Sequence, residues 1–196
     1  WSANGNKVIM KVEKTQLDGL VVIHPDVHDD KRGYFFESYN KPLFKSLGIP
    51  SDFVQDNQAL SGKNTLRGLH YQLKYPQGKL IQVPRGKVYD ISLDIRHGSP
   101  TFGQYFGIVL SDKNFHIVYV PEGFAHGYAV LSDNAIFQYK CTETYHPEDE
   151  HGIKWNDPSI HINWQITDPI ISEKDLVLPS LTELGPSLLP AYRVQK

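Results

Sequence analysis

The chain has 196 residues, a length that suits one domain. With 40% apolar and 12% aromatic residues it has the material for a core, which excludes disorder over most of its length. The 20 Lys+Arg and 22 Asp+Glu leave a formal net charge of -2, so no global field draws it to nucleic acid or to an anionic membrane.

From its first residue, the segment Trp1 to Lys7 lacks the apolar core of a signal peptide, and no apolar run approaches the ~18 residues of a membrane span. Met10, the single methionine, reads as the natural start. One domain is expected over residues 10–184, with 1–9 and 185–196 as appended or loosely ordered tails. Strand-type runs bounded by turn residues predict strands over 20–23, 34–39, 79–83, 87–95, 105–110, 116–120, 127–131 and 135–145. Short helices are expected over 41–47, with Pro42 in the first turn, and from Ser172. There Ser172-Glu173-Lys174-Asp175 resembles a capping box with Asp in place of Glu. Many short strands at close spacing argue for an all-β sandwich or barrel with few helices. Tyr89, Ile91, Leu93 and Ile95 share one parity and are expected to face a core; Val88, Asp90, Ser92 and Asp94 take the other. Ala135, Phe137, Tyr139 and Cys141 share a face that points Tyr139 inward. Cys141 is the single cysteine, so an intramolecular disulfide is impossible, which fits a reducing cytoplasm.

Three residues stand out for proton chemistry. His70, in Leu66-Arg67-Gly68-Leu69-His70-Tyr71-Gln72, is either a general base or a structural histidine of a barrel wall. Arg67 has the opposite strand parity, so the two can serve one site only if the strand starts or bulges near Gly68. Tyr139 is either a proton donor or a core tyrosine satisfied by a carbonyl. Asp175 either caps its helix or holds His70 as a dyad. Among the basic residues, Arg32, Arg67, Lys79 and Lys174 are each solvated charges or, together, a diphosphate site. An inward Lys79 is costly unless it meets an anion. Pro121-Glu122-Gly123-Phe124-Ala125-His126-Gly127 is similar to the second signature of cupins, but a His-x-His pair and a downstream Glu are missing, so no metal is expected at His126.

In order along the chain, Asp30 to Ser38, Phe53 to Asn57, Leu66 to Gln72, Gln77-Gly78-Lys79, Asp94-Ile95-Arg96, Ser99 to Gly103, Pro121 to Gly127, Tyr139-Lys140 and Trp155-Asn156-Asp157 resemble the dTDP-4-dehydrorhamnose 3,5-epimerase family. The resemblance implies a metal-free cupin jelly roll, usually a homodimer, without cofactor. It implies conversion of dTDP-4-dehydro-6-deoxy-D-glucose to dTDP-4-dehydro-L-rhamnose. His70 then matches the base, Tyr139 the acid, and Asp175 the histidine's partner. Arg32, Glu37, Gln55, Asn57, Arg67, Lys79, His126, Glu150 and Lys174 match nucleotide-sugar contacts, and Tyr145 the residue stacked on thymine. A mono-epimerase of a related 4-keto sugar and a non-catalytic sugar-binding cupin are the alternatives.

Overall fold

The computed structural model describes residues 10–50 and 52–192. In chain order the elements are β1 (Lys11–Lys14), β2 (Val21–His24), β3 (His28–Asp30), β4 (Gly33–Phe35), α1 (Lys41–Ser46), β5 (Gln55–Gly62), β6 (Leu66–Gln72), β7 (Lys79–Arg85), β8 (Lys87–Asp94), β9 (Tyr105–Ser111), β10 (Ile117–Val120), β11 (Phe124–Val130), β12 (Asn134–Cys141), β13 (Glu150–Gly152) and α2 (Glu173–Leu176). Two sheets of order β1-β2-β10-β7-β12-β5 and β13-β6-β11-β8-β9 form a jelly roll, with β3–β4 as a separate hairpin.

Three apolar layers hold the sheets. Val88, Leu110, Val118, Val120, Phe124 and Phe137 fill the space between them. Outside the five-stranded sheet, Leu66, Leu69, Ile91, Leu93 and Ile95 pack under the C-terminal segment through Ile153, Trp164, Leu181 and Leu189. Outside the six-stranded sheet, Ile23, Leu80, Ile117 and Tyr119 meet Phe44 of α1. The five-stranded sheet is therefore buried on both faces. This refines the parity reading of β8: Ile91, Leu93 and Ile95 do face a core, but it lies outside the barrel. Asp90, Ser92 and Asp94 are buried as well, and their parity faces the interior, where chemistry can be placed.

Several predicted boundaries move. The strand expected over 34–39 is confined to β4, and the strand expected over 135–145 ends at Cys141. Helix α1 is capped by Asn40, whose side chain accepts from Leu43 N–H at 3.1 Å. Residues 185–192, expected as loose, are packed: Leu189 is buried, Tyr71 Oη donates to Leu188 O at 2.7 Å, and His97 N–H donates to Pro190 O at 2.7 Å. The expected tails 1–9 and 193–196 lie outside the described residues.

Asp94 is the last residue of β8 and is fully buried. It accepts from Arg96 Nε (2.9 Å) and Nη2 (2.8 Å), Ser99 Oγ (2.6 Å) and Thr101 Oγ1 (2.6 Å). Burial opposes its charge, but these bonds outweigh it and hold the carboxyl below its ordinary value. A depressed folded-state pKa stabilises above the unfolded value of about 3.9, and the benefit is lost as pH falls below it. The melting temperature is therefore expected to fall as pH drops from about 5 through the unfolded value and on below it, and Asp94→Asn to melt lower at pH 7 with a shallower acid slope. An unchanged slope in differential scanning calorimetry would remove Asp94 from this account.

Candidate active site

A cavity of about 510 Å³ opens between the sheets. Strand β6 places its key residues through a bulge. His126↔His70 and Tyr128↔Arg67 are cross-strand partners, so two steps on β11 oppose three on β6. Arg67, His70 and Gln72 thereby take one face, while Leu66, Leu69 and Tyr71 join the outer core. The irregularity expected near Gly68 is present. Gly68 has φ +114°, and a Cβ there would lie 2.6 Å from Gly127 Cα and 2.7 Å from His126 O, so only glycine fits.

His70 Nε2 lies 2.8 Å from Asp175 Oδ1. A carboxylate only accepts, so Nε2 carries the proton and Nδ1 is left with its lone pair. Asp175 is 3% exposed and also accepts from Gly68 N–H at 3.2 Å. Burial opposes its charge; the bond from His70 leads the interactions that outweigh burial and keep its pKa low. The capping and dyad roles proposed for this helix divide: Ser172 Oγ caps α2 by accepting Asp175 N–H at 3.2 Å, and the Asp175 side chain turns to the histidine.

Tyr139 lines the same cavity from β12, tilted against Phe137 at 5.8 Å. No hydrogen bond joins its hydroxyl to another described residue, so the carbonyl-satisfied alternative does not hold. Burial pushes its pKa up to about 12, and it remains a proton donor at neutral pH. Lys79, opposite Cys141 in the β7–β12 ladder, forms no ion pair with a described residue. Burial lowers its pKa, with Cys141, Glu150 and Asp90 acting in the other direction.

At the mouth, Glu150 accepts from Tyr145 Oη at 2.6 Å, pairs with Lys174, and comes within 3.9 Å of His70 Nδ1. The bond to Glu150, then burial, raise the Tyr145 pKa to about 12. Burial opposes the charge of Glu150, but the bonds from Lys174 and Tyr145 keep its pKa low.

The cavity thus gathers His70, Asp175, Tyr139, Lys79, Arg67, His126, Tyr145, Glu150 and Lys174. Gln55 and Asn57 are not among its lining residues, though they share the β5 face of Ala59, which is: Gln55 Nε2 donates to Asn57 Oδ1 at 3.0 Å, and Asn57 Nδ2 to Cys141 Sγ at 3.6 Å. Arg32 and Glu37 are not brought in. Arg32 is 84% exposed in the β3–β4 turn and paired with Asp30, while Glu37 accepts from Asn40 Nδ2 at 3.1 Å. Sequence reasoning missed Asp90, which lies 2.8 Å from His126 Nε2 with both side chains buried. The signal was there in the polar parity of β8. Among the described residues no group of three or more His, Cys, Asp or Glu is arranged to hold a metal ion, and no helix is long and apolar enough to cross a membrane.

The family model for dTDP-4-dehydrorhamnose 3,5-epimerase matches residues 14–183. The chain is 50% identical over 165 residues to the dTDP-4-dehydrorhamnose 3,5-epimerase of Methanothermobacter thermautotrophicus, covering 83% of this chain and 89% of the relative. It is 47% identical over 178 residues to that of Escherichia coli, covering 89% and 96%. The solved structure of a dTDP-6-deoxy-D-glucose-3,5-epimerase from Legionella pneumophila, in complex with dTDP-4-keto-L-rhamnose, is 45% identical, covers 95% of this chain and 100% of its own, and superposes with a TM-score of 0.92. Sequence identity at this level and a shared backbone over almost the whole length make the chain a member of the dTDP-4-dehydrorhamnose 3,5-epimerase family.

Proposed function

We propose that the protein epimerises dTDP-4-dehydro-6-deoxy-D-glucose at carbons 3 and 5 to dTDP-4-dehydro-L-rhamnose, within the cytoplasm and as a homodimer. The observation that carries this reading is the convergence on one cavity of a His–Asp pair, a half-buried phenol that stays protonated and a lysine without an ion pair among the described residues. The hydrogens on carbons 3 and 5 flank the 4-keto group and are acidified by it. His70 Nδ1 takes one, and the C–H electron pair becomes the enolate double bond as charge moves to the carbonyl oxygen. The Lys79 ammonium, held where few other charges compensate it, meets that oxygen. Tyr139 then gives its proton to the carbon from the opposite face, which inverts the centre; its phenolate is reprotonated from solvent and the His70 imidazolium gives its proton up to solvent, so both groups are ready for the second carbon. Asp175 keeps the His70 tautomer that leaves Nδ1 free. Arg67, His126, Glu150 and Lys174 bind the nucleotide sugar, with Tyr145 against the base. Residues 10–184, with 185–192 packed against them, carry this activity as one domain.

Proton NMR of the substrate in heavy water tests the reading. Deuterium is expected at both carbons with formation of the L-rhamno product. Uptake at one carbon alone identifies a mono-epimerase, and no uptake identifies a sugar-binding protein. Light scattering tests the dimer. Turnover is expected to survive EDTA, because His126 Nε2 is engaged by Asp90 and no cluster of ligating residues surrounds it among the described residues. Loss in chelator, restored by a divalent ion, would reverse that expectation.

A further inference from the structure

After Cys141 the chain leaves the sheet, and its backbone groups lose their ladder partners. Three glutamine side chains replace them. Tyr145 N–H donates to Gln55 Oε1 at 2.8 Å, and His146 N–H to Gln72 Oε1 at 2.9 Å. Gln72 Nε2 donates to Thr144 O at 3.2 Å and to Tyr75 O at 2.7 Å. Gln77 Nε2 donates to Glu143 O at 2.9 Å. The glutamines come from β5, from β6 and from the approach to β7, so one short segment is tied to three separate places in the barrel. Gln72 is only 4% exposed.

The residue at the centre of this clamp is Tyr145. Its ring is 48% exposed at the cavity mouth, and its hydroxyl is fixed on Glu150. The backbone is thus held from one side and the phenol from the other, leaving the ring available as a flat apolar surface. A nucleobase stacks best on a ring already ordered, because ordering it on binding costs affinity.

We propose that Gln72 and Gln77 are positioning residues for nucleotide binding, acting through Tyr145 by holding the backbone on either side of it, at Glu143, Thr144 and His146, so that the ring is preorganised. This rests on the nucleotide-sugar reading given above. The assignment separates them from groups that touch the sugar: their loss is felt in binding of the nucleotide rather than in proton transfer.

A double-mutant cycle on dTDP affinity, read by calorimetry, tests this without requiring turnover. Gln72→Met removes the amide at similar volume and is expected to weaken dTDP binding roughly tenfold, and Gln77→Met, which loses a single bond, roughly threefold. KM should carry the change, with kcat staying within about twofold. In a Tyr145→Ala background both effects should shrink below about twofold, because the platform they hold is gone. Additive effects in that background would overturn the proposal, since the glutamines would then touch the ligand or support the fold independently. So would a loss confined to kcat, or unchanged dTDP affinity in both single variants. If Gln72→Met fails to fold, Gln77→Met completes the cycle alone. A wild-type protein that binds no dTDP would remove the nucleotide reading itself, a result distinct from additivity.

Discussion

His70→Ala is expected to abolish deuterium uptake at carbons 3 and 5 together. His70 Nδ1 is the lone-pair nitrogen left by the bond from Nε2 to Asp175, and the proposed reaction cannot begin until a proton leaves. Loss of a general base costs on the order of 10²–10⁴-fold, and the full activity where no other group can substitute. The alanine leaves Lys79, Arg67 and Tyr145 in place, so dTDP affinity should change by less than about threefold. The two readouts separate a missing base from a collapsed cavity. Uptake persisting at one carbon near the wild-type rate would assign that carbon a different base. His126, which lines the cavity and is bonded to the buried Asp90, is a candidate.

Tyr139→Phe is expected to separate exchange from inversion. The substitution keeps the ring against Phe137 and deletes only a hydroxyl that has no hydrogen-bond partner among the described residues. Stability should therefore shift by less than about 0.5 kcal/mol. His70 can still remove a proton, and it or solvent can return one to the original face. NMR should show residual deuterium exchange with inversion reduced on the order of 10²–10⁴-fold, the scale of a lost general acid. With a pKa near 12, Tyr139 should also give no acidic or neutral limb to the pH profile of inversion. Inversion at the wild-type rate in Tyr139→Phe would make Tyr139 a packing residue.

How much of this was legible before the structure depends on the kind of signal. Apolar runs bounded by Gly and Pro located most of the strands that build the barrel. They could not locate β5, whose Gln-Asp-Asn-Gln stretch looks like loop and becomes strand only because β12 pairs with all of it. Parity placed Tyr139 correctly, because β12 is regular on that side. Parity also put the outer residues of β8 in a core, but a strand covered on both faces has two interiors, and alternation cannot say which is the barrel. Asp175 stood 105 positions from His70, and nothing local distinguishes a helix-capping aspartate from a dyad partner; only the meeting of α2 with β6 decides it. The glutamine contacts were unreadable for a similar reason: they satisfy backbone groups, which carry no residue-specific trace.

The bulge in β6 makes the strand sensitive to phase. Ahead of Gly68 it is Leu66 that joins the outer core while Arg67 lines the cavity; beyond it, Leu69 and Tyr71 join the outer core while His70 and Gln72 line the cavity. Removing one residue from the strand's regular part, such as Tyr71 between His70 and Gln72, would make those two neighbours in sequence and so put them on opposite faces, sending one of them to the outer core. An insertion in the loop after Gln72 would leave both where they are. Length drift in this protein should thus be absorbed by the loop and purged from the strand, so that two neighbouring stretches, equally near the reaction, evolve under opposite rules.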